Sequence, residues 1–237
     1  MSTTAKEVRE TLTMFADPAK AKILSGFFKT GKGQYGEGDR FLGIRVPDTR
    51  SVAKEARSLP LAEISVLLED PYHEVRLCGF LVLVDKYRKT KLPEEKEALV
   101  NFYLAHARKA NNWDLVDLSA PKILGDWLRD KERTILYELA QSDSLWEQRI
   151  AMVSTWTIIR QDDFDDTLRL VELLMDHPHD LMRKAVGWML REVGKRDRET
   201  LTRFLEAYAT RLSRTSLRYA IEHYPPEARK RFMNMGK

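Results

Sequence analysis

Little in this chain of 237 residues could cross-link it, anchor it in a membrane or mark it for export. Its one cysteine, Cys78, rules out an internal disulfide and makes a reducing cytoplasm the expected compartment. No apolar run approaches the ~20 residues that span a bilayer, so no membrane partner is expected. The opening MSTTAKEVRE lacks the apolar core of a signal peptide. No stretch alternates apolar and polar residues convincingly enough to read as a strand. No nucleophile-elbow sequence or cysteine–histidine dyad points to covalent catalysis. His177-Pro178-His179-Asp180 brings two histidines close, but no third or fourth ligand is evident. Neither a metal nor another cofactor is expected.

What is present is helical periodicity. Apolar residues recur at helical spacing through residues 4–16, 18–30, 47–58, 73–88, 121–129, 144–160, 179–194 and 226–234, among other segments. Asp17-Pro18, Pro60, Pro93-Glu94-Glu95 and Pro225-Pro226-Glu227 place proline and acids where helix N-termini favour them. Gly194-Lys195-Arg196-Asp197 reads as a C-terminal stop, with glycine at a left-handed cap. The expected architecture is all-α: a superhelix, or solenoid, of helical repeats forming one domain over residues 1–237. Residues 31–44 break the pattern, with five glycines between Gly31 and Gly43. No Lys-Ser/Thr pair closes this loop and no strand precedes it, so a structural crossover is expected rather than a nucleotide site. A phosphate contact through its amides stays open.

A second pattern has a longer period. An arginine, any residue, then a small residue occurs at Arg76-Leu77-Cys78, Arg149-Ile150-Ala151, Arg183-Lys184-Ala185 and Arg218-Tyr219-Ala220. The last three are 34 and 35 residues apart, while the first gap of 73 is two periods. The register therefore places a missing copy near residue 112, where Asn112-Trp113-Asp114-Leu115-Val116-Asp117 stands instead. An array that replaces a basic structural slot with an aromatic and two carboxylates is expected to hold its chemistry there. In such arrays a repeated arginine commonly binds a carbonyl or carboxylate of a neighbouring unit, the reading favoured for Arg76, Arg183 and Arg218. Arg149 could instead fork onto a phosphate.

Trp113 and Asp117 are four residues apart and share one helical face. Asp114 and Asp117 could equally be helix-terminal carboxylates that cap or pair with arginines. Trp188 lies off the apolar stripe of its helix and shares a face with Lys184, Arg191 and Lys195. Such a face could stack on a base or sugar while its cations hold phosphates; it could equally be an indole lying under lysine stems. Trp127 and Trp156 fall on apolar faces and are expected in the core. Residues 183–237 carry 14 Lys/Arg against 6 Asp/Glu, a one-sided charge that suits a nucleic-acid backbone.

At these residues the chain resembles the AlkD-type alkylpurine DNA glycosylases, the HEAT-like-repeat DNA alkylation repair family. The matching stretches are Phe41-Leu42-Gly43-Ile44 with Pro47 and Arg50, Trp113–Asp117, Leu145–Arg149 and Lys184–Glu192, in order from about residue 41 to 220. The resemblance implies a C-shaped α-superhelix on duplex DNA containing alkylated bases, acting as a monomer. It also implies excision of cationic N3- or N7-alkylated purines, as in base-excision repair. Carried over by position, Asp117 matches the catalytic carboxylate, Trp113 and Trp188 the paired aromatics, and Arg149 the phosphate-contacting arginine. Lys184, Arg191 and Lys195 join it as DNA-binding candidates. The family is similar to no pocket-based glycosylase: it works on the sugar without a base-specific pocket, and this sequence shows no recognisable base-binding motif. Where the best-known members carry a tryptophan pair, this chain has Asn112-Trp113. Two other readings stay open: a non-catalytic HEAT-like protein that binds duplex or branched DNA, and a protein-interaction scaffold.

Overall fold

In the computed structural model, residues 4–235 are described, and they form helices joined by short turns, apart from the long loop between Phe27 and Val46, with no strand among them. None of these helices is long and apolar enough to cross a membrane. The chain divides into two compact units, Met1–Ser119 and Ala120–Lys237.

The first unit contains α1 (Ala5–Thr13), α2 (Pro18–Phe27), α3 (Val46–Glu55), α4 (Leu61–Leu68), α5 (His73–Lys89), α6 (Pro93–Ala105) and α7 (Trp113–Ser119). Its centre is α5, whose sequence is apolar on nearly every side and which packs against α3, α4, α6 and α7. Leu77, Cys78, Phe80, Val82 and Leu83 are all buried along it. Burial pushes the Cys78 thiol up to about 12, which leaves it protonated and unreactive. α2 is the opposite case. Asp17 caps it by accepting from the Ala19 and Lys20 amides at 3.0 and 3.1 Å, yet none of its residues is buried.

The second unit contains α8 (Leu124–Trp127), α9 (Thr134–Ala140), α10 (Leu145–Ile159), α11 (Asp165–Leu174), α12 (Asp180–Arg196), α13 (Arg198–Tyr208), α14 (Arg214–Ala220) and α15 (Pro226–Asn234). The single helix expected over 121–129 is instead α8 flanked by two short 3-10 turns, the first of which contains Pro121. Gly125 sits against the Ser154 carbonyl of α10, where no Cβ would fit. The helix stop expected over Gly194–Asp197 falls within that stretch, since α12 ends at Arg196 and Asp197 is its cap. Gly194 is not a left-handed cap but lies inside the helix, where Leu201 packs against it. Trp127 and Trp156, expected in the core, are half-buried and each lies under a cation, Lys131 at 4.3 Å and Arg160 at 4.9 Å from the ring centroids.

Two of the four register arginines make the same local bond. Arg76 donates Nη1 to the Asp70 carbonyl at 2.8 Å, and Arg183 donates Nε to the His177 carbonyl at 3.0 Å. Each reaches back six residues to tie down the turn before its own helix. Arg149, only 5 % exposed, reaches forward instead and donates Nη1 to the Leu181 carbonyl at 2.7 Å. Arg218 is exposed.

Candidate functional site

Trp113 opens α7 and Asp117 follows one turn later, with Leu115 and Val116 turned into the core between them. Both candidate residues are half-buried. Asn112, at the position of the missing arginine, is fully buried, and its Oδ1 accepts from the Trp113 amide at 2.9 Å. Asn112 thus stands at the start of α7, where its backbone carbonyl also accepts from the Val116 amide at 3.3 Å. The Trp113 indole lies nearly parallel to Phe28 (5.3 Å, 24°) and edge-on to Phe27 (6.0 Å, 70°). Phe28 stacks in turn on Phe41 at 5.1 Å, and Phe41 on the His73 imidazole at 4.7 Å. A column of aromatic rings thus backs the indole and limits its motion.

Beneath the column is a buried ionic cluster. His73, the first residue of α5, places Nε2 2.8 Å from Asp114 Oδ2 and Nδ1 3.1 Å from Asp39 Oδ2. Arg76 also pairs with Asp39. Burial alone would push the His73 pKa down, but hydrogen bonds and charge from Asp114 and Asp39 outweigh it and raise the value to about 9. His73 is therefore an imidazolium at neutral pH, donating from both ring nitrogens. For Asp39, burial opposes ionisation, and His73 and Arg76 together hold the pKa below its ordinary value.

The same helix start fixes the glycine-rich loop. Glu74, buried beside His73, accepts from the amides of Leu42, Gly43 and Ile44 at 2.9, 2.8 and 3.1 Å. The loop does form an anion cradle, but an internal carboxylate fills it, so those three amides are not offered to a phosphate. Gly43 has φ +86° and passes against the Asp17 carbonyl and Ala21 amide of α2, a conformation and a clearance that only glycine allows. The crossover expected from the sequence is what this loop is.

These contacts shape a cleft of about 460 Å³ in the first unit. Its walls come from α2, the end of the loop and α7, and both Trp113 and Asp117 line it. The α2 side chains Ile23 and Phe27 stand 69 % and 60 % exposed at this cleft. The sequence pointed to Trp113 and Asp117 but not to Phe27 or Phe28. Trp113 lies more than 80 residues from both along the chain, so no local spacing connects them.

The remaining candidates lie in the second unit. Trp188 is half-buried on α12 and donates Nε1 to Glu192 Oε1 at 3.2 Å. Lys184 pairs with Asp180 at 2.7 Å, Lys195 with Glu192 at 2.7 Å, and Arg191 with Glu222. The structure brings Trp188 and the three cations onto one helix and adds acids that the sequence reading passed over. Exposed pairs of this kind contribute about 0–1 kcal/mol each, so a phosphate can displace them at little cost. Arg149 commits Nη1 to the Leu181 carbonyl.

Comparison with known proteins bears on the chain as a whole. A model of a family described as DNA alkylation repair enzymes matches residues 8–224. A solved structure described as a predicted DNA alkylation repair enzyme from Enterococcus faecalis is similar at a TM-score of 0.71 and 20 % identity, covering 89 % of this chain and 97 % of that one. At that identity the likeness is one of all-α fold. No curated protein sequence matches the chain.

Proposed function

Because this chain belongs to the DNA alkylation repair enzyme family, we propose that it is a monofunctional DNA N-glycosylase excising cationic N3- or N7-alkylated purines from duplex DNA. The observation that carries this reading is the placement of Asp117 one helical turn from Trp113, both on the wall of one cleft. An alkylated purine is already cationic and leaves readily, so the bond from C1′ to the base nitrogen breaks with its electron pair going to the base. Positive charge then grows on the sugar as an oxocarbenium ion. A carboxylate held by a rigid helix stabilises that charge in the transition state more than in the ground state. Asp117 would also orient the attacking water and take its proton as the new C1′–O bond forms. The products are a free base and an abasic site. The Trp113 face adds cation–π stabilisation as the sugar becomes positive. Trp188 is proposed as a second aromatic contact to the DNA, with Lys184, Arg191 and Lys195 as partners of its phosphates.

One observation favours a second reading, a family member that binds DNA without cleaving it. Asn112 is buried, so the position taken by an additional tryptophan in the best-known relatives presents no aromatic face here. The experiment that separates the two is release of 7-methylguanine or 3-methyladenine from methylated duplex DNA. The wild type should release base, and Asp117→Asn should lower the rate by at least about 100-fold, the scale of losing one transition-state charge stabiliser, with affinity for duplex DNA nearly unchanged. Absence of release by the wild type under conditions where a known glycosylase acts rejects the enzyme reading and leaves the binding one.

A further inference from the structure

Most of the positive charge in residues 183–237 is already engaged within the protein. Lys184, Arg191, Lys195, Arg196, Arg211 and Arg231 rest on carboxylates, and Arg203 lies 3.8 Å from Glu199. Arg183, Arg198 and Arg214 donate to the carbonyls of His177, His223 and Met233. Three cations of the segment remain whose side chains make no hydrogen bond or ion pair among the described residues: Arg218, Arg229 and Lys230. All three line one recess of about 360 Å³ formed by α14 and α15, and no acid stands in its wall.

Arg218 belongs to the arginine register, and a structural bond like those of Arg76 and Arg183 is expected of it. Those two tie down the turn before their own helices. Before α14 that turn is closed by Ser213 instead, whose Oγ accepts from the Ser216 amide at 3.0 Å. Arg218 is thereby released, and it shares the recess with two cations of α15. Glu227, in the first turn of α15, pairs with none of the three. Gathering like charges costs Coulomb energy that no described group of the chain returns. Buried Ile221 and half-buried Met233 complete the wall, so an anion placed there is screened less than on open surface. We propose that this recess is a phosphate site and that its occupant is a backbone phosphate of duplex DNA. The choice of duplex rests on the DNA reading above; the phosphate site rests on the recess itself. Arg218 and Arg229 supply forked donors and Lys230 a point charge, a set suited to a phosphate oxyanion. Such a contact positions the duplex without reading its sequence.

The test measures affinity of the full-length protein for an unmethylated duplex by fluorescence anisotropy across a salt series. Arg218→Gln and Lys230→Gln should each weaken binding about five- to tenfold at ~0.1 M salt and flatten the slope of log K against log salt by about 0.9. Arg218→Lys should keep the slope but recover only part of the affinity, since the charge stays and the fork is lost. Arg203→Gln removes the same charge from α13 and should change affinity by less than about twofold. Arg218 and Lys230 are exposed and held by no described group, so their variants keep the fold, which a thermal scan verifies. Pyrophosphate, titrated calorimetrically without DNA, separates the two sources of phosphate. If Arg218→Gln abolishes pyrophosphate binding yet leaves duplex affinity unchanged, the duplex is overturned as the occupant. Duplex affinity that falls as much in Arg203→Gln as in Arg218→Gln overturns the recess in favour of general charge. Wild-type duplex binding that Arg218→Gln and Lys230→Gln both leave intact, with no pyrophosphate bound, removes the recess and keeps the DNA reading. Pyrophosphate bound through Arg218 by a wild type that binds no duplex keeps the recess and removes the DNA reading.

Discussion

His73 joins three parts of the first unit through a single ring: α5 carries it, Asp39 brings the glycine-rich loop to Nδ1, and Asp114 brings α7 to Nε2. A buried imidazolium between two carboxylates makes stability depend on pH in a defined direction. The folded pKa, about 9, lies above the unfolded value near 6.5. The stabilisation is therefore complete below pH ~6.5, declines as pH rises, and is gone above about 9, a loss on the order of 3 kcal/mol. Asp39 acts at the other end of the scale. Its folded pKa is depressed below 3.8, so its contribution is present above that value and disappears as pH falls through the folded one. Urea unfolding of the wild type should show the alkaline decline, and His73→Gln should flatten it while lowering stability at pH 7 by about 3 kcal/mol, since two buried carboxylates lose their shared cation. An alkaline decline that survives in His73→Gln would mean that another group carries it.

At the scale of elements, the loop of residues 31–44 and helix α7 are held by the first turn of α5, and Glu74 is the hinge of that arrangement. A carboxylate offers two acceptor oxygens to three amides; glutamine offers one oxygen and turns an N–H₂ toward N–H donors. Glu74→Gln should therefore cost on the order of 2 kcal/mol in chemical denaturation. It should also open residues 31–44 to limited proteolysis while the second unit stays protected. Cleavage no faster than in the wild type would show that the loop is held mainly by Asp39 and Phe41. This level of structure was the hardest to read in advance. Helix positions followed from apolar spacing, and the four-residue offset correctly put Trp113 and Asp117 on one helix, because both signals are local. The loop reads as a run of glycines whichever anion fills it; only the fold shows that Glu74, 30 residues on, is that anion. Gly194 misled for the same reason. Its absent side chain answers to Leu201 across the helix pair and not to a turn, and nothing local distinguishes the two uses.

For the whole molecule, a fold shared at a TM-score of 0.71 with only 20 % identity means that the helical frame tolerates wide substitution. The periodic apolar faces, which the sequence displays openly, carry that frame. Charge is a different matter, because sequence counts cations without showing which acids neutralise them. Residues 183–237 carry the excess of arginine and lysine, yet Lys184 and Lys195 rest on Asp180 and Glu192. Whether that excess serves DNA is decided by salt. A protein that places cations on phosphates releases counterions, and log K falls linearly with log salt by about 0.9 for each phosphate neutralised. If Lys184 and Lys195 leave their weak pairs for phosphates, Lys184→Ala and Lys195→Ala should each reduce affinity for duplex DNA of any sequence and flatten the slope by roughly one. Lys6→Ala, on the exposed face of α1 beside Glu10, serves as the control and should leave the slope unchanged. The two lysine variants would match the wild type if their pairs with Asp180 and Glu192 persist on DNA. An affinity that does not vary with salt at all would reject DNA as the partner and return the scaffold reading, in which those same pairs remain closed.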